Sequence, residues 1–135
     1  MMTGFVGLFG LTHGVAWACS CAMSDDPPEV LFENYEVVFY GEIVSVQEPV
    51  PLGCSGTVSS ADPVQVRIDV LEGFKGAEGG EELEFTTARD GSSCGIAFEV
   101  GEAWLIYANT GRLGLCDPTE QMNADDPDLD VLRAL

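Results

Sequence analysis

The chain has 135 residues, 46% of them hydrophobic, and its 23 acids against five bases set a formal charge of −18. That length suits one domain with a core of its own. A body this acidic repels polyanions, which excludes nucleic acid and anionic membrane surfaces as natural partners, and the excess acid serves solubility rather than marking a site.

Residues 1–18 contain no Asp, Glu, Lys or Arg, and Phe5 to Leu11 are all apolar or Gly before the chain relaxes into Ala16-Trp17-Ala18. This is the layout of a signal peptide, the competing reading being a buried N-terminal strand. The apolar run is shorter than the ~20 residues a membrane span needs. Cleavage after Ala18 and export to the extracellular space or periplasm are therefore expected, with a mature chain opening on Cys19-Ser20-Cys21. The one histidine, His13, falls in the removed segment. A mature chain without histidine cannot build a Ser-His or Cys-His nucleophile and lacks the commonest catalytic zinc ligand. A carboxylate hydrolase is open on composition alone, but a chain this small rarely encloses a sugar cleft. The expectation is a protein that is not an enzyme, holds no cofactor of its own and works as a monomer.

After Cys21, Asp26 is placed to cap a short helix with Pro27 or Pro28 in its first turn, running to about Tyr35 and grouping Val30, Leu31 and Asn34. Residues 37–47 are β-branched and aromatic around Gly41, which marks a bulge in a curved strand. Residues 48–63 are rich in Pro, Gly and Ser and form a long loop holding Cys54. Val64, Val66, Ile68 and Val70 alternate with more polar positions as a half-buried strand does. Glycines 73, 76, 79 and 80 punctuate a turn region around Phe74-Lys75, where Lys75, the chain's one lysine, is expected to be solvated. A third strand covers 82–87 with Leu83 and Phe85 inward. A loop from Ala88 to Ser93 leads to Cys94-Gly95, and a fourth strand covers 102–108, its Trp104 and Tyr107 expected in the core. The turn Asn109-Thr110-Gly111 returns the chain through Arg112 to Cys116 as a fifth strand. Residues 123–135 read as an acidic C-terminal tail, a solvated cap or short helix rather than a calcium loop, because central Gly and terminal Glu ligand positions are missing.

The five cysteines, Cys19, Cys21, Cys54, Cys94 and Cys116, read in an exported chain as a disulfide framework with one thiol left over. Zinc ligation would want a second short cysteine pair or a nearby histidine.

Taken in order, Cys19-Ser20-Cys21, the strand Val37-Val38-Phe39-Tyr40-Gly41-Glu42-Ile43, Phe74-Lys75-Gly76, Cys94-Gly95, and Gly101 to Tyr107 followed by Cys116 resemble the netrin-like domain of the tissue inhibitors of metalloproteinases. The resemblance covers about residues 19–122. It implies an all-β fold of small α content, a five-stranded OB-type Greek-key barrel with a short N-terminal helix. It also implies bridges Cys19–Cys94 and Cys21–Cys116, leaving Cys54 unpaired. In that family the amine and carbonyl oxygen of the mature N-terminal cysteine chelate the zinc of a target metalloprotease. Here that role falls to Cys19, with Ser20 entering the specificity pocket and Cys21, Ser92, Ser93 and Gly95 completing the contact edge. The amine must be unprotonated to bind metal, so capping should tighten as pH rises toward its ordinary value of ~7.7–8.0. The chain departs from the animal inhibitors in lacking a third cysteine between Cys21 and Cys54, their basic strand motif, and their second subdomain. The alternative is a netrin-like binding module of the cell envelope with no protease target, in its sharpest version anchored to the membrane by a lipid on Cys19.

Overall fold

The computed structural model describes residues 26–48, 63–88, 95–109, 111–114 and 117–135. They form helix α1 (Pro28–Asn34), strands β1 (Val37–Gln47), β2 (Pro63–Lys75), β3 (Glu82–Ala88), β4 (Ala103–Ala108) and β5 (Glu120–Gln121), and helix α2 (Pro127–Arg133). The strands make one antiparallel sheet in the order β3-β2-β1-β4-β5, so the structure is mostly β with a small helical part.

β1 lies at the centre and is buried on both faces, since β-branched and aromatic residues occupy odd and even positions alike. Its odd positions Phe39 and Ile43 join Val64, Val66, Ile68 and Val70 of β2, Phe85 of β3, and Ile106 and Ala108 of β4. Phe98 and Leu113, from the connections, complete this large core. The even positions Val38 and Tyr40 face the other way, with Leu105 and Tyr107 of β4 and Leu129 and Leu132 of α2. Leu31, Phe32 and Tyr35 flank this smaller, helix-side core, and α1 and α2 touch one another above it.

Curvature enters at Gly41. The β1–β2 register shifts between Tyr40 and Gly41, with further shifts between Val38 and Phe39 and between Ile43 and Ser45. A Cβ on Gly41 would stand 2.7 Å from the Asp69 carbonyl oxygen and 2.8 Å from the Phe39 ring, so only glycine lets the strands approach here. The expected bulge is present.

Four expectations need correction. Phe74 and Lys75 are not in a turn but continue β2, paired through Lys75 to Val38. The strand survives Gly73 because the Ala77 carbonyl fills the place of its side chain. The fifth strand is displaced: the named strand is Glu120–Gln121, while Arg112 makes only isolated bridges, antiparallel to Asn109 and parallel to Thr86. In α1 the N-cap is Pro27, which offers no capping side chain, and the packed residues are Leu31 and Phe32, with Val30 and Asn34 exposed. Lys75, finally, is half-buried and engaged with α1 rather than solvated.

The acidic C-terminal stretch folds as α2. Asp126 caps it by accepting from the Asp128 N–H at 2.9 Å, Pro127 occupies the first position, and acids sit in its first turn where the helix dipole favours them. Leu129 and Leu132, one turn apart, go under it into the helix-side core. Arg133 then ties the helix to β2 through a two-pronged contact with Glu72, at 2.8 and 2.9 Å.

Candidate functional site

Of the residues singled out by the sequence, Cys19, Ser20, Cys21, Ser92 and Ser93 lie outside the described residues, as do Cys54, Cys94 and Cys116. Gly95 is described. It is buried against the end of β3, so close that a Cβ would collide with the Ala88 carbonyl oxygen. The next residue holds the same place: the Ile96 N–H donates to Thr87 Oγ1 at 3.0 Å, giving that buried hydroxyl its acceptor role. A small residue after Cys94 and two small residues ending β3 are what allow this pinch.

The neighbouring residue of β3, Thr86, receives a second segment. The Thr86 N–H donates to the Gly111 carbonyl at 3.0 Å and the Leu113 N–H donates to the Thr86 carbonyl at 2.8 Å. Leu113 is fully buried in the large core, so this seat is fixed by packing as well as by hydrogen bonds. Thr87 and Ala88 thus hold the chain just after Cys94, and the adjacent Thr86 holds the chain just before Cys116. Pro63, paired with Ala88, brings the end of the Cys54-bearing segment to the same end of the sheet.

Beyond Cys116 the chain is tied back toward the helices. Gly114 and Asp117 are bonded to one another, the Gly114 N–H donating to Asp117 Oδ2 at 2.9 Å and the Asp117 N–H to the Gly114 carbonyl at 3.0 Å. The Tyr35 hydroxyl, just past α1, hydrogen-bonds the same carboxylate; its pKa is raised by burial first, then by the Asp117 charge and that hydrogen bond. Thr119 serves β4 through its side chain, accepting from the Tyr107 N–H at 3.1 Å and donating to the Tyr107 carbonyl at 3.3 Å.

Among the described residues, no group of three or more His, Cys, Asp or Glu side chains could hold a metal ion, and no helix is long and apolar enough to cross a membrane. The anchors Thr86, Thr87, Ala88, Tyr35 and Asp117 escaped the sequence reading. Their signal is faint: two small residues closing an alternating strand, and an Asp directly after a cysteine.

No protein-family model matches the chain, and a search of the curated proteins finds no match.

Proposed function

We propose that the chain is an exported inhibitor of zinc metalloproteases, built on a closed five-stranded OB-type barrel and acting through the amine and carbonyl of Cys19. The observation that carries this reading is the shared seat on β3. Gly95 follows Cys94, Leu113 precedes Cys116, and both lie against Thr86–Ala88. Bridges from Cys19 to Cys94 and from Cys21 to Cys116 would therefore draw the amino terminus to one end of the sheet. The bridges of Arg112, parallel to Thr86 and antiparallel to Asn109, support closure of β3 onto the chain that follows β4. Such closure removes the exposed edge that an open five-stranded sheet leaves.

The chemistry follows from the amine. Catalytic zinc keeps an open position that a neutral nitrogen fills, and Cys19 would displace the water held there. Rigid attachment of both cysteines limits the ordering cost of binding. Ser20 would enter the pocket beside the metal, with Ser92 and Ser93 on the flank.

The test compares mature protein beginning at Cys19 with protein carrying one extra N-terminal alanine, against a panel of zinc metalloproteases. Inhibition by the first and at least a hundredfold weaker inhibition by the second is expected from loss of a metal ligand, about 2.7 kcal/mol or more. Equal potency of the two forms would refute the chelation. An intact mass showing an acyl group on Cys19 would instead support the lipid-anchored envelope module.

A further inference from the structure

Phe74-Lys75-Gly76 has no task in the zinc-capping reading, yet all three residues converge on residues 31–37. Phe74 joins Leu31, Phe32 and Tyr35 around the helix-side core. The Lys75 ammonium donates to the Phe32 carbonyl at 2.8 Å, reaches the Glu33 carbonyl at 3.5 Å, and stands 5.2 Å from the centre of the Phe32 ring. Gly76 has φ +69°, and a Cβ there would come within 2.5 Å of the Glu36 carbonyl oxygen. On the far side, the Glu36 N–H donates to Asn109 Oδ1 at 2.8 Å.

Helix α1 needs this cradle. It has seven residues, none of them buried, with Pro27 as its N-cap and no base in its last turn. A helix this short does not persist by its own hydrogen bonds, and its final carbonyls have no partners within it. A cation at those carbonyls satisfies them and complements the negative end of the helix dipole. The compact ammonium, with three donors, can serve neighbouring carbonyls at once, and its contact with the Phe32 ring adds to the attraction.

We infer that Lys75, seated by Phe74 and Gly76, is a positioning residue that clamps the C-terminal end of α1 to the end of β2 and thereby sets where the chain from Cys21 meets the sheet. Its consequence for inhibition rests on the zinc-capping reading; the clamp itself does not.

The experiment uses the mature protein, Lys75→Met, Lys75→Arg and Gly76→Ala, with amide hydrogen exchange as the first readout and protease inhibition as the second. In Lys75→Met the amides of α1 should exchange about tenfold faster while those of β1, β2 and β4 keep their rates, as expected for losing a charge-assisted bond at a locally opening segment. Lys75→Arg should recover part of that protection, and Gly76→Ala should loosen the same helix. Unchanged exchange in α1, or equal acceleration across helix and sheet, overturns the clamp. If α1 loosens but inhibition is undiminished, the positioning role is overturned. Should the native protein inhibit no metalloprotease, the zinc-capping reading fails while the exchange data still decide the clamp.

Discussion

The buried members of the large core, from Phe39 and Ile43 through Ile106 to Leu113, carry no polar side-chain atom, whereas the helix-side core is built around Tyr35, Tyr40 and Tyr107 beneath two short helices rich in acid. The first stabilises by apolar burial alone and by close packing such as the Phe39–Phe85 stack at 5.8 Å. The second mixes burial with hydroxyls that need partners. Tyr40 finds one in the Met122 carbonyl at 3.0 Å, while the buried Tyr107 hydroxyl has none among the described residues. One face therefore sets whether the chain folds, and the other sets how firmly the helices sit and how that responds to pH.

The largest separation between the faces should come from truncation. Phe39→Ala is expected to cost about 3–5 kcal/mol, because strands on both sides prevent collapse into the void. Leu132→Ala should cost about 2 kcal/mol, at the low end for leucine, because a terminal helix can settle into the space. Urea unfolding of both variants measures the difference. If Leu132→Ala proved the more damaging, the ranking of the two cores would be reversed.

Next in size is the pinch at the end of β3. Gly95→Ala forces a methyl group against the Ala88 carbonyl and should lower stability by about 1–3 kcal/mol, the usual cost of overpacking. Thermal unfolding reads it directly. In the proposed inhibitor it should also weaken inhibition, since Gly95 adjoins Cys94.

The smallest effect is the one most specific to the helix side. Tyr107→Phe removes a buried hydroxyl that has no partner among the described residues and should be neutral or stabilising by up to about 1 kcal/mol. Burial raises the Tyr107 pKa far above the ordinary phenol value of 10.0, with the charges of Asp128, Glu120 and Glu29 adding to it. The unfolded chain thus loses this proton first, and stability falls as pH climbs through and beyond 10. Tyr35 and Tyr40 are raised too, each chiefly by burial, and reinforce the trend. Asp128 follows the same sign at acid pH: burial, then Asp126 and Glu29, raise its carboxyl, so its ionisation costs the fold stability as pH rises through the carboxylate range. Denaturant unfolding at pH 8 and pH 11 should show a smaller alkaline loss in Tyr107→Phe than in the native chain. Identical losses would show that the phenol is not held in its un-ionised form.

The parts of the fold visible in the sequence are those governed by local pattern. Alternation exposed the large-core side of β2, Gly41 exposed the bulge, and the apolar run with Trp104 and Tyr107 exposed β4. What escaped depends on distant partners. Gly73 looks like a turn residue until the Ala77 carbonyl is seen where its side chain would be, whereas Gly76, with φ +69° just past β2, is the turn residue it looks like. The packed face of α1 is set by Tyr35, Phe74 and the sheet beneath it, which a seven-residue window does not contain. The pairing of Arg112 with Thr86 joins residues 26 apart through hydrogen bonds that leave no compositional trace. For the candidate site, the cysteine order suggested the chemistry, while the placing of Gly95 and Leu113 on neighbouring residues of β3 emerged only in three dimensions.

The proposal that Cys19 caps zinc is tested most directly by optical spectroscopy of a target metalloprotease whose zinc has been replaced by cobalt(II). Adding protein that begins at Cys19 should change the visible absorption of the metal, as an amine nitrogen takes the place of bound water, and protein with an extra N-terminal alanine should leave the spectrum as it was. Inhibition of the protease with no change in the cobalt spectrum would contradict the account.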